Sequence, residues 1–134
     1  MIELWEAAKY YVDNQVPWRD RGRSKLGVDC IGLIICSARD IGIDLDPTNE
    51  IHREMKWGEV TKFFAINCYR VSLLEAKPSD IVYYGDMHTT MIGILSPGDP
   101  LNLIYAPYRS NVTETIFDDR LGRLRGIIRL KETK

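Results

Sequence analysis

Apolar residues recur at helical spacing over residues 3–14, where Leu4, Ala7, Ala8, Tyr11 and Val12 share one stripe. That pattern predicts an amphipathic helix. Residues 15–29 carry no such period; they are rich in Gly, Pro and charge and read as a long loop. An apolar run follows over 30–41, with Asp29 as a candidate cap and Gly42 as a candidate stop, and it predicts a buried helix. Its isoleucine content also fits a strand. Residues 43–54 look irregular, and 56–66 predict another helix. After Pro78 the pattern becomes that of strands, over 80–84, 88–95, 101–106, 111–116 and 124–130. Turn signals separate most of them: Gly85-Asp86, then Ser96-Pro97-Gly98-Asp99, then Pro107. Helices first and a meander of strands afterwards predict an α+β domain with an antiparallel sheet.

Length and composition narrow the class. The 134 residues, 45% of them hydrophobic, suit one domain spanning 1–134 with a packed core. A net charge of −1 gives no argument for nucleic acid or for an anionic membrane surface. No apolar run reaches the roughly 18 residues of a membrane span. The N-terminal MIELWEAAKYYVD carries acids and lacks a basic stretch followed by an apolar one, so no secretory signal is expected. Cys30, Cys36 and Cys68 are odd in number and include no C-x-x-C pair, which argues against a zinc cage or a disulfide framework.

Two residues draw attention as chemistry. Cys30 follows a loop and opens the predicted helix, where the helix dipole and backbone N–H groups favour a thiolate. A buried, inert thiol is the plain alternative, and it suits Cys36, which sits among Ile34, Ile35 and Ala38. His88 follows Gly85-Asp86-Met87 at the start of a predicted strand, where a ring can face a helix start packed on the sheet. A surface histidine at a turn is its plain alternative. His52, in the charged stretch Ile51-His52-Arg53-Glu54-Met55-Lys56, is expected to be solvated, as are Arg19, Arg21 and Arg23, for which facing an acidic peptide stem or a partner protein is the alternative. Cys30 with His88 is therefore the best candidate for a Cys–His pair.

A resemblance sharpens this. The segment from Pro17-Trp18 through the Gly-rich stretch to Gly27-Val28-Asp29-Cys30-Ile31-Gly32-Leu33 resembles the nucleophile motif of NlpC-type peptidoglycan peptidases, in outline P-Y, a Gly-rich stretch, then G-x-D-C-x-G-L. Pro78-Ser79-Asp80 followed by Ile81-Val82-Tyr83-Tyr84 is similar to that family's P-G-D stretch. The segment from His88 through Gly93-Ile94 resembles its H-V-G-I-Y strand, and Leu103-Ile104-Tyr105-Ala106 its F-I-H-A strand. The P-W-R-x-x-G-R-S form of the loop most resembles short peptidases of phage tails and gene transfer agents.

The resemblance implies a circularly permuted papain-like α+β fold of NlpC type, with a helix bearing Cys30 packed on an antiparallel sheet bearing His88 and Tyr105. It implies a cysteine peptidase acting on the peptide stem of peptidoglycan, next to D-glutamate, without metal or cofactor. It makes other tail-tip proteins the expected partners and the virion tail the expected location. Tyr105 stands where the family has a polar residue, often His, that orients the imidazole; the alternative is an aromatic packing on a sheet face. Trp18 stands where many members have a tyrosine of the oxyanion hole, and it equally suits a hydrophobic lid. Asp29 joins it as a candidate on the oxyanion and substrate side, with helix capping as the stronger reading. A structural tail-tip subunit with a weak or silent site is the rival function.

Overall fold

A computed structural model describes residues 2–52, 54–85, 90–118 and 122–131. Helix α1 spans Leu4–Asp13 and buries Leu4, Ala7, Ala8 and Tyr11 from the predicted stripe. Glu3 and Glu6 form a reciprocal capping box at its start. Helix α2 spans Cys30–Asp40 and is buried on nearly every side. Ile31, Leu33, Ile34 and Ile35 are each at most 2% exposed, and burying such side chains stabilises by about 1.5–3 kcal/mol apiece. Helix α2 ends where expected: Gly42 adopts a φ of +90°, while its N–H and that of Ile43 bond back to Arg39 and Ala38. Helix α3 spans Trp57–Phe64.

The strands are β1 (Arg23–Ser24), β2 (Gly27–Val28), β3 (Cys68–Val71), β4 (Ile81–Gly85), β5 (Thr90–Ser96), β6 (Asn102–Tyr105), β7 (Thr113–Ile116) and β8 (Leu124–Leu130). The first two form a small antiparallel ribbon, and the other six form one sheet in the order β3-β8-β4-β5-β6-β7. Every neighbouring pair in that sheet is antiparallel. The fold is therefore the α+β class expected, with helices leading and a C-terminal antiparallel sheet.

Side chains alternate across the sheet and divide the interior. Ile81, Tyr83, Ile92, Ile94, Ile104 and Ile128 join α1 and α2 in one core. Val82, Tyr84, Leu95, Leu103 and Ile127 form a second cluster on the other face. β4 is thus buried on both faces, which is why its sequence is a continuous apolar run rather than an alternating one.

Three features differ from the sequence pattern. The β1–β2 ribbon lies inside the segment expected to be loop. β3 and a short 3₁₀ turn over Leu73–Glu75 fall in a stretch with no clear signal. β3 is an edge strand whose partner, β8, comes from near the far end of the chain.

Candidate active site

Cys30 is the first residue of α2, and Asp29 is its N-cap. The Asp29 side chain is fully buried. Its Oδ1 accepts a hydrogen bond from the Gly32 N–H at 2.7 Å and another from Arg23 Nη1 at 3.0 Å, while Oδ2 accepts from the Arg21 N–H at 2.9 Å. One carboxylate therefore caps the helix and anchors the preceding loop. In all three of these hydrogen bonds the Asp29 oxygens are the acceptors. The capping reading of Asp29 holds.

The loop before α2 is folded onto the helix start by backbone pairing. Trp18 and Val28 form a parallel bridge. The Val28 N–H bonds to Pro17 O, and the Arg19 N–H to Val28 O. This brings Trp18 beside the residues that lead into Cys30. The same loop is tied to the segment after β6, with the Trp18 N–H on Ser110 O and the Val112 N–H on Val16 O. The indole meets the Tyr108 ring edge-on, centroids 4.7 Å apart. Tyr108 was not singled out from the sequence: it sits in a turn after Pro107, where no periodic pattern marks it.

Two close approaches explain glycines in this region. A Cβ at Gly32 would lie 2.0 Å from the Gly22 carbonyl oxygen, and one at Gly22 would lie 2.3 Å from that of Gly27. The loop packs backbone-to-helix at Gly32, which only glycine permits.

Arg23 and His52 are not the solvated side chains expected. Arg23 is ion-paired with Asp29, its side chain only 18% exposed, and it donates further bonds to Gly22 O and Ile51 O. His52 is half-buried, and its Nδ1 is buried with no hydrogen-bond partner among the described residues. Arg19 and Arg21 are exposed as expected.

His88 lies outside the described residues, as do Asp86, Met87 and Thr89. The strands on either side of it are described: β4 and β5 pair through to Gly85 opposite Thr90. Tyr105 pairs with Gly93 on the neighbouring strand. Its ring packs against the second cluster, on the face of Val82, Tyr84, Leu95 and Leu103, whereas Cys30 belongs to the core on the helical face. That is the alternative reading of Tyr105, an aromatic packing on a sheet face.

Of the remaining thiols, burial pushes Cys36 above its ordinary range and Cys68 up to about 12. Cys36 lies in the core with Tyr11, as its position on α2 suggested. Asp80, in the segment resembling P-G-D, is fully buried and paired with Arg129 at 2.7 Å. Ser79 before it adopts a φ of +78°, a conformation that favours glycine. Among the described residues no group of three His, Cys, Asp or Glu side chains could hold a metal ion.

Similar solved structures share this architecture. A staphylococcal protein described as similar to lipoprotein, of the NLP/P60 family, from Staphylococcus aureus subsp. aureus Mu50, superposes with a TM-score of 0.69 at 18% identity. The match covers 97% of this chain and 41% of that one. The NlpC/p60 domain of the peptidoglycan hydrolase SagA superposes with a TM-score of 0.67 at 17% identity, covering 93% of this chain and 94% of that domain. The chain has the NlpC/P60 fold. It spans about two fifths of the staphylococcal structure and nearly all of the SagA domain. Neither a protein-family model nor a curated protein matches the sequence. At these identities the NlpC/P60 likeness is one of architecture, and the chemistry of this chain rests on its own residues.

Proposed function

We propose that this chain is a cysteine peptidase that hydrolyses an amide bond in the peptide stem of bacterial peptidoglycan. The observation that carries this is the placement of Cys30 as the first residue of α2, behind a buried cap, in an NlpC/P60 fold. A thiol there faces the positive end of the helix dipole, which favours the nucleophilic thiolate. In the reaction the thiolate of Cys30 attacks the carbonyl carbon and forms an acyl-enzyme. Backbone N–H groups at the start of α2 take the developing negative charge, with the indole N–H of Trp18 as a further donor. His88 protonates the departing amine and then takes a proton from the water that releases the acyl group.

What supports the peptidoglycan substrate is the hydrolase that carries the similar SagA domain, together with the motif around Cys30. The form of the loop over Pro17–Ser24 supports a finer reading, a tail-tip component that aids wall penetration with other tail proteins as partners. Hydrolysis of purified sacculi by the native chain, and its loss in Cys30→Ala and in His88→Ala, tests the chemistry. Sacculi left intact by the native chain would favour the rival, a structural subunit with a silent site, which the packing of Tyr105 away from the helical face also favours. Mass spectrometry of purified particles tests the tail assignment, and absence of the chain from them would remove it.

A further inference from the structure

The two edges of the six-stranded sheet differ. At β7 the open side is taken up: the Val112 N–H bonds to Val16 O, Asn111 bridges to Pro17, and the Glu114 carboxylate is ion-paired with Lys9. At β3 no strand among the described residues pairs on the side away from β8. The register fixes which groups that side presents. The Lys131 N–H bonds to Asn67 O. The alternation of an antiparallel ladder then turns the backbone groups of Tyr69 and Val71 toward β8 and those of Cys68 and Arg70 outward. Ser72 follows in extended backbone, with φ −80° and ψ 158°, and turns its N–H the same way. An edge with such groups is a template for one more strand.

The side chains along this edge describe what would pair there. Tyr69 and Val71 lie on the face of the second cluster, against which Val71 packs. Leu73 and Leu74 follow on the 3₁₀ turn, which Arg129 ties to the sheet through Glu75 O. Tyr69 and Leu73 are exposed, and Leu74 is 99% exposed. Apolar side chains grouped beside an open strand mark a protein contact. On the helical face Arg70 stands opposite the buried Ile128. Arg70 is itself exposed and forms no ion pair among the described residues. A second copy of the chain fits this edge poorly. The two-fold register that uses all three outward residues pairs Cys68 with Ser72 and sets Arg70 opposite the Arg70 of its copy, and like charges directly opposite destabilise. A carboxylate in that position reverses the sign of the effect.

We propose that β3 is a docking edge for an extended segment of another protein, with one carboxylate residue opposite Arg70 and an apolar residue on either side of it. The carboxylate meets the Arg70 guanidinium, and the backbone of the same residue exchanges both its hydrogen bonds with Arg70. Its apolar neighbours cover Tyr69 and Val71 on the other face. The inference goes beyond the peptidase reading and does not depend on it. β8 and β4 lie between this edge and β5, on which α2 packs, so a strand added at β3 is set apart from the helix that carries Cys30.

Fluorescence anisotropy on the full chain tests this with a labelled, end-capped peptide, Ser-Thr-Val-Glu-Val-Thr-Ser, and the same peptide with Lys in place of its Glu. The Glu peptide should bind about tenfold more tightly. Arg70→Glu should reverse that order. Ser72→Pro keeps every charge and suits the φ at its position, but it removes an outward N–H, and it should weaken binding of the Glu peptide. Methylating the backbone nitrogen of the peptide's Glu should weaken it too, on the unaltered protein. Thermal melts establish that both variants fold. Equal binding of the two peptides, binding of neither, or an order that Arg70→Glu leaves unchanged overturns the docking edge. Sedimentation of the native chain should show a monomer. A dimer that Ser72→Pro separates would give the edge to a second copy and overturn the proposal as well.

Discussion

Oδ1 of Asp29 accepts hydrogen bonds from both the Gly32 N–H and Arg23 Nη1, so one oxygen closes the helix that carries Cys30 and pins the loop in front of it. The carboxylate is fully buried, and Arg23 is its ion-pair partner. Removing it leaves the guanidinium uncompensated in a largely buried place. Asp29→Ala should therefore cost on the order of 3–5 kcal/mol, the range for breaking a buried pair. Asp29→Asn should cost less, because an amide oxygen still caps the helix. Urea denaturation midpoints, read at unchanged slope, measure both. A loss below about 1 kcal/mol for Asp29→Ala would show that the cap is dispensable.

Glycine to alanine should have opposite signs in two helices of this chain. In an open helix position the change stabilises by up to about 1 kcal/mol. Gly58 in α3 has nothing within 4 Å of an added Cβ, and Gly58→Ala should follow that rule. At Gly32 in α2 an added Cβ would lie 2.0 Å from the Gly22 carbonyl oxygen. Gly32→Ala should destabilise by about 1–3 kcal/mol and should loosen the loop that bears Trp18. Thermal melts of the two variants give the comparison directly.

The three thiols should separate by reactivity and not by exposure. Cys30 and Cys68 are equally buried, at 6% exposed each. Burial pushes Cys68 up to about 12, so its thiol stays protonated and slow near neutral pH. Cys36 is raised for the same reason, against the lowering effect of Arg39 and Arg23. Brief iodoacetamide treatment at pH 7 should label Cys30 first, and labelling of Cys68 should rise only in strongly alkaline solution. Peptide mapping across a pH series reads this out, and early labelling of Cys68 would contradict an activated Cys30.

Tyr105 separates packing from catalysis. Its ring packs with Val82, Tyr84, Leu95 and Leu103. Tyr105→Phe keeps that packing and should leave the melting temperature unchanged within a few degrees. With the ring committed to that face, hydrolysis of sacculi is expected to stay within about threefold of the parent, since one tenfold step needs about 1.4 kcal/mol. A fall of tenfold or more at unchanged stability would instead assign the hydroxyl to orienting His88.

The sequence by itself determined what depends on local chemistry. The stripe of Leu4, Ala7, Ala8 and Tyr11 set α1, and Asp29 with Gly42 set both ends of α2, because caps and periodicity act within a turn or two of the chain. The apolar segments after Pro78 likewise marked five strands of the sheet. Only the tertiary structure decided what depends on partners distant in sequence. β3 exists because β8 pairs with it, and the Cys68–Val71 stretch alone carries no sign of that strand. Arg23 and His52 looked like solvated charge until the loop folded back over Gly32 and the 46–52 segment closed on Arg23 through Ile51 O. The face that Tyr105 occupies was also undecided, because register across β5 and β6 assigns each side chain to one side of a sheet and a shift of one residue reverses it.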